Sequence, residues 1–171
     1  MEALSRRTFL KSAGSVAIAT VAGTSLILTL PGRSWAYELK QLSGTQADAL
    51  LHMTRRLFPS TKLGEAPYAG AVQALDESAA GDAAAAQQLV AGLADLDARA
   101  GGSFAKASPD AQTQILRQIE ATPFFKTVRG TSAFVIYNNP DAWAKIGYEG
   151  ESYSKGGYLT RGFNDIDWLP R

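Results

Sequence analysis

Residues 108–140 read SPDAQTQILRQIEATPFFKTVRGTSAFVIYNNP, and this stretch decides the fold because it contains successive helix starts. Ser108-Pro109 and Thr122-Pro123 each place a capping hydroxyl before a proline that suits a first helical turn. Asn139-Pro140 closes the second helix and opens a short helical turn. Residues 130–133, Gly-Thr-Ser-Ala, are small enough for another helix to approach closely. The residues predicted to face inward are Ala111, Ile115, Leu116 and Ile119 in one helix, and Phe124, Phe125, Val128, Val135 and Ile136 in the next.

Three further helices are predicted upstream. The first begins at Ser43, which has capping-box spacing to Gln46, and ends at Phe58-Pro59. The second begins at Pro67, and the third extends from Asp82 to Ala100. The third helix is expected to turn Ala86, Leu89, Val90, Leu93 and Leu96 inward. No stretch of the body shows sustained period-two alternation, so the sequence predicts an all-α bundle of about five helices.

The composition excludes much of metal and redox chemistry. The 171 residues are 46% hydrophobic and 19% charged, which is typical of one globular domain. The absence of cysteine excludes disulfides, iron-sulfur clusters, thiolate zinc sites, a cysteine nucleophile and covalent c-type haem attachment. His52 is the only histidine, so imidazole metal sites are poorly supplied. We therefore expect no metal and no cofactor in this chain.

Residues 1–36 have the features of a twin-arginine (Tat) export signal. The motif SRRTFLK at residues 5–11 contains the targeting residues Arg6, Arg7, Phe9 and Leu10. Residues 12–30 are uncharged but contain only seven Val, Ile or Leu residues, which disfavours the alternative of an ordinary membrane anchor. Small residues at Ser34 and Ala36 predict cleavage between Ala36 and Tyr37. We expect periplasmic localisation, because the Tat pathway exports folded proteins.

Removal of residues 1–36 leaves 13 basic and 15 acidic side chains in the mature chain. This near-neutral balance gives no electrostatic reason to expect nucleic acid as a partner. The predicted organisation is a signal at 1–36, a helical domain at 37–147 and a C-terminal arm at 148–171.

The arm contains an aromatic residue at every fifth position, a spacing that fits neither a helix nor a strand. Its glycines predict an irregular segment that docks its rings on another protein or, alternatively, wraps around its own bundle. The predicted docking residues are Tyr148, Tyr153, Tyr158, Arg161, Phe163, Asp165, Asp167 and Trp168.

Candidate catalytic residues are few. Glu149 and Glu151 are the one candidate acid/base pair, and two carboxylates this close in a glycine-containing loop are typical of solvated charge. His52 lies beside Arg55 and Arg56 without a serine or cysteine motif that would make it a general base. No glycine-rich phosphate loop follows a strand. The sequence therefore predicts no catalytic residues.

Several motifs carry a resemblance to a known family. They are TRRLFP at 54–59, the Phe124-Phe125 helix, YNNP at 137–140, GYEG at 147–150 and GGYLTRGFNDIDWLP at 156–170. With the Tat motif, they resemble the gluconate 2-dehydrogenase subunit 3 family. The resemblance covers roughly residue 42 to the C-terminus, and its tail motif is the most specific part.

The resemblance implies a non-catalytic small, or gamma, subunit. Its partner would be a large FAD-dependent dehydrogenase of the glucose-methanol-choline type that oxidises sugars, sugar acids or polyols in the periplasm. The small subunit would help this flavoprotein mature and carry it to the Tat translocase, and a c-type cytochrome subunit is a further implied partner. The alternative is a stand-alone periplasmic module that binds carbohydrate or peptide through the arm, and an enzyme that uses Glu149 and Glu151 is a third class.

Overall fold

The computed structural model describes residues 17–20, 26–29, 36–159 and 162. Three short strands come first: β1 Ala17–Thr20, β2 Leu26–Thr29 and β3 Ala36–Leu39. They form an antiparallel sheet in the order β1-β2-β3, in which Tyr37 lies opposite Leu28. These strands were not predicted from the sequence, because runs of four residues are too short to establish a period-two pattern.

Six α-helices follow among the described residues, so the predicted all-α fold of the body is confirmed. They are α1 Gly44–Leu57, α2 Ala66–Gly81, α3 Ala83–Arg99, α4 Pro109–Ile119, α5 Pro123–Tyr137 and α6 Pro140–Ile146. The sixth is the short turn expected after Asn139. Two 3-10 turns, Phe104–Lys106 and Tyr153–Lys155, complete the described elements.

Side-chain caps explain where most of the helices begin. In every helix except α2, a cap oxygen accepts a backbone N–H of the first turn; the caps are Ser43, Asp82, Ser108, Thr122 and Asn139. Both hydrogen bonds of the capping box between Ser43 and Gln46 are present. These contacts satisfy donors that a helix start would otherwise leave unpaired.

The core lies between α1, α2, α3 and α5, with α5 packed chiefly against α2. Leu89, Leu93 and Leu96 are buried as predicted, but Val90 is 40% exposed. Consecutive helical residues differ by about 100° in direction, so Leu89 and Leu96 both lie to the same side of Leu93. Val90 lies about 60° to the opposite side of Leu93, which places it outside the buried stripe.

A second correction concerns α4. Ala111 is exposed, whereas its neighbour Gln112 is buried and donates through Nε2 to the carbonyl of Phe104 at 2.9 Å. An amide can occupy this inward position because the Phe104 carbonyl supplies the hydrogen bond that burial demands.

Two helices of the body approach each other closely at Gly92, and not at Gly130, where the small residues of α5 suggested it. A Cβ on Gly92 would lie 2.2 Å from the Phe124 ring, whereas a Cβ on Gly130 would meet nothing within 4 Å. Ser132, within the predicted stretch, is fully buried. The small residue that the packing of α3 and α5 requires is therefore on α3.

A buried carboxylate connects the start of the body to α2. Asp76 is fully buried and accepts hydrogen bonds from three successive backbone N–H groups, those of Lys40, Gln41 and Leu42. The donor–acceptor distances are 2.6, 2.9 and 2.8 Å. We call this arrangement the Asp76 joint.

Candidate functional site

A chain of aromatic contacts begins where α1 ends. Tyr68, which is 1% exposed, donates its hydroxyl hydrogen bond to the carbonyl of Phe58 at 2.7 Å. The Phe58 ring meets Tyr137 edge to face, with centroids 5.8 Å apart and planes at 80°. This geometry is the favourable one for aromatic pairs, and it connects α2 to the end of α5 through Phe58.

The guanidinium group of Arg55 lies over the Tyr68 ring. Its guanidinium carbon lies 5.5 Å from the ring centroid, and it also forms an ion pair with Glu65. Burial raises the pKa of Tyr68 above its usual value, and the positive charge of Arg55 partly opposes that rise. Tyr68 is therefore a neutral hydrogen-bond donor at physiological pH.

Trp143 connects the body to the arm. Its indole N–H donates to the carbonyl of Tyr137, and its ring meets Tyr148 edge to face with centroids 5.5 Å apart. Gly150, at φ +92°, lies so close that an added Cβ would be 3.2 Å from Trp143. The first residues of the arm therefore pack against α6 through one indole.

Beyond this contact the apolar side chains are exposed. Phe134 is 68% exposed and Tyr153 is 93% exposed. We define the aromatic surface as Phe134, Tyr137, Ile146, Tyr148, Tyr153, Tyr158 and Leu159, each of which is exposed. Phe134 and Tyr137 share a face of α5 because they are three residues apart. Exposed apolar side chains therefore occur on α5, on α6 and in the arm, and aromatic residues are among the types that most often anchor protein–protein contacts.

The predicted docking residues fall into two groups. Tyr148, Tyr153 and Tyr158 belong to the aromatic surface. Arg161, Phe163, Asp165, Asp167 and Trp168 lie outside the described residues, as do the targeting residues Arg6, Arg7, Phe9 and Leu10. The predicted cleavage residues Ala36 and Tyr37 lie in β3.

Phe134 was not among the docking residues predicted from the sequence. The signal was available, because Phe124, Val128, Ser132 and Ile136 lie on the buried face of α5 at helical spacing and Phe134 falls between them. An aromatic residue on the opposite face of a helix has no packing partner in its own core.

Glu151 has a structural role in the arm. Its carboxylate accepts from the backbone N–H of Ser154 at 3.0 and 3.3 Å. This hydrogen bonding lowers the pKa of the exposed Glu151 carboxyl below its usual value. Lys155 donates to the backbone carbonyl of Glu149. Glu151 is therefore ionised at neutral pH, which is the opposite of what a general acid needs.

His52 and the metal-ligating side chains of the described residues form no catalytic or metal-binding cluster. His52 Nε2 lies 3.8 Å from the Asp48 carboxylate, one turn away on the surface of α1. The described part of the chain has no group of three metal-ligating side chains. None of its helices is long and apolar enough to cross a membrane.

One groove of about 220 Å³ opens between the end of α2, the start of α3 and α5. Its apolar lining includes Leu75, Ala79, Leu89, Phe124 and Val128. Among its polar residues, Gln88 donates to Thr127 at 3.1 Å and Asp82 caps α3. The groove offers no acid/base pair for catalysis.

Comparison with known proteins gives one match. The family model described as gluconate 2-dehydrogenase subunit 3 matches residues 44–150. No curated protein and no solved structure matches the chain. The matched range extends from the first residue of α1 to Gly150, so it includes the Trp143 contact and ends before Tyr153.

Proposed function

Because the chain belongs to the gluconate 2-dehydrogenase subunit 3 family, we propose that it is the non-catalytic small subunit of a flavin-dependent dehydrogenase complex. The partner would be a large FAD-dependent subunit that oxidises a sugar, sugar acid or polyol. The family match over residues 44–150 carries this proposal. The small subunit would assist maturation of the partner and bring it, already folded, to the Tat translocase and the periplasm.

The side chains of the described residues favour a binding role for this subunit. Glu151 caps a turn, Gln88 and Asp82 of the groove have hydrogen-bond partners, and the aromatic surface exposes rings without a covering layer. Buried tyrosine and tryptophan rings contribute strongly to association when they enter a partner's pocket. We assign docking of the large subunit to the aromatic surface.

The flavin is assigned to the partner on architectural grounds. Dinucleotide sites place a glycine-rich turn between a parallel strand and a helix. The strands among the described residues are antiparallel, and Gly156-Gly157 follows a 3-10 turn. These residues do not fit FAD.

Co-purification tests the assignment. A tagged form of this chain, expressed with its natural dehydrogenase partner, should yield a yellow complex with a flavin spectrum, and the chain alone should be colourless. A colourless monomer that binds sugar would instead support the stand-alone binding module. Flavin bound stoichiometrically to the isolated chain would contradict the proposal.

Export is tested at the arginine pair. Replacing Arg6 and Arg7 with Lys should leave both subunits in the cytoplasm and remove periplasmic dehydrogenase activity. The matched control replaces Arg117 and Arg129, two exposed arginines of the helical body, with Lys and should not change export. Normal periplasmic activity in the Arg6/Arg7 variant would contradict shared export.

A further inference from the structure

The Asp76 joint fixes the chain immediately after the predicted signal. Hydrogen bonds to a carboxylate are stronger than those between neutral groups, and three of them act on consecutive residues, Lys40 to Leu42. The acceptor is inaccessible to solvent, so water does not compete for these donors. Complete release of residues 40–42 must break all three hydrogen bonds.

Two apolar anchors reinforce the joint. Leu39 is 4% exposed and Leu42 is 2% exposed, and both belong to the core. The side chains of Lys40 and Gln41 between them are exposed, while their backbone N–H groups point to Asp76. The segment is held by its backbone and by its flanking leucines, and β3 packs beside α2.

The predicted cleavage bond lies very close to this fixed segment. Only Tyr37 and Glu38 separate the Ala36–Tyr37 bond from the buried Leu39. Two extended residues span at most about 7 Å. The backbone on both sides of the bond is also paired in the sheet, with Ala36 opposite Thr29 and Tyr37 opposite Leu28. A peptidase must draw an extended stretch from both sides of a bond into its cleft, and these contacts oppose that displacement.

We propose that the Asp76 joint controls removal of the signal: while it is closed, the Ala36–Tyr37 bond is inaccessible to a signal peptidase and the folded precursor keeps its signal. Cleavage is hydrolysis, in which the peptidase adds water across the amide and leaves a carboxylate on Ala36 and an amine on Tyr37. Its rate follows the fraction of molecules with the joint open. This inference rests on the proposed export signal.

The test measures cleavage of the purified, folded full-length chain by a bacterial signal peptidase, followed by mass spectrometry. Asp76→Asn places an amide NH₂ group against the N–H of Lys40 and so weakens the joint. We expect it to be cleaved at least about tenfold faster than the unaltered chain, because loss of a charged hydrogen-bond acceptor shifts such an equilibrium by that order.

Asp82→Asn is the matched control. Asp82 also accepts backbone N–H groups, those of Ala84 and Ala85, but it caps α3 and does not touch the signal junction. It should be cleaved at the rate of the unaltered chain. Equal acceleration by both variants would show that general destabilisation controls cleavage and would overturn the role of the joint.

A second variant leaves Asp76 intact. A four-residue Gly-Ser insertion between Glu38 and Leu39 moves the bond away from the body, and we expect cleavage as fast as in Asp76→Asn. If the unaltered folded chain is cut as fast as this insertion variant, the proposal is wrong.

A peptide of residues 25–48 distinguishes the two proposals. Rapid cleavage of the peptide at Ala36–Tyr37 with slow cleavage of the folded chain is the expected result. A peptide that is not cut there would overturn the assigned cleavage site and this inference together. A peptide and a folded chain that are cut equally fast would overturn only the joint.

Discussion

The core of the body and the aromatic surface contain the same types of aromatic side chain, but the core buries them and the surface exposes them. Phe104 and Tyr68 are almost fully buried, and the Tyr68 hydroxyl has an internal acceptor. Phe134 and Tyr153 are mostly exposed. Burial of an aromatic side chain stabilises the fold it belongs to, whereas an exposed one contributes only when another surface covers it. The aromatic residues of the core therefore contribute to the folding equilibrium, and those of the aromatic surface contribute to the association equilibrium.

Deletion of residues 153–171 should produce the largest difference between the two effects, a loss of association with almost no change in folding stability. The deletion leaves Tyr148 and Gly150 on Trp143, and it removes no buried residue of the described body. We expect the complex with the dehydrogenase to be lost, measured by size-exclusion chromatography. The free energy of unfolding of the isolated subunit should change by less than about 0.5 kcal/mol. A complex that survives without the arm would place docking entirely on the body.

A matched pair of phenylalanine substitutions tests the comparison at single residues. Phe104→Ala empties a fully buried site and should lower the free energy of unfolding by about 3–5 kcal/mol. Phe134→Ala should change it by less than about 0.5 kcal/mol and weaken association by about 2 kcal/mol. Chemical denaturation and a binding titration measure the two quantities. Loss of stability in Phe134→Ala would assign that ring to the fold.

Two glycine substitutions sharpen the description of the core. Gly92→Ala drives a methyl group into the Phe124 ring and should destabilise the subunit by about 1–3 kcal/mol. Gly130→Ala meets no neighbour and should stabilise it by about 0.5–1 kcal/mol, because alanine is the better helix former. Thermal unfolding compares the pair. Equal effects would mean that α3 and α5 are not in close contact at Gly92.

The smallest expected effect is the alkaline pH dependence of stability. Burial raises the pKa of Tyr68, so the unfolded chain loses this proton at lower pH than the folded one. The contribution of Tyr68 to stability is complete below the ordinary tyrosine pKa of about 10 and is lost as pH rises through the folded value. Denaturation between about pH 9 and pH 11 should show a decline that is shallower in Tyr68→Phe. An unchanged slope in that variant would assign the decline to other groups.

Local signals predicted much of the body. The caps at Ser43, Ser108 and Thr122 are satisfied by N–H groups within three residues, so the sequence alone specifies these helix starts. Burial was predicted less well for residues at the edge of a helix's apolar face, since both Val90 and Ala111 are exposed. The direction of such residues depends on which helices surround them, and that information is not local.

The long-range features were not predictable from one sequence. Asp76 lies 34 to 36 residues from the N–H groups it accepts, and nothing near it in the chain distinguishes it from a surface aspartate. Gly92 likewise has a role only because Phe124 approaches it in space. For the site, the periodic tyrosines predicted docking at Tyr153 and Tyr158, and the structure shows both side chains exposed. Phe134 could also have been found, because the helical spacing of the buried residues of α5 leaves it on the opposite face.

The position of Trp143 makes its fluorescence sensitive to binding at the junction of α6 and the arm. Its indole is half-buried at the point where α6 meets the arm, in contact with Tyr148 and bonded to the carbonyl of Tyr137. Indole emission shifts to shorter wavelength when water leaves its surroundings. If the signal is removed with Trp35, the mature chain keeps Trp143 and Trp168 as its two tryptophans, one on the body and one on the arm. A Trp168→Phe variant then leaves Trp143 as the single tryptophan of the mature chain. Its emission wavelength would report binding of a second protein at the junction of α6 and the arm.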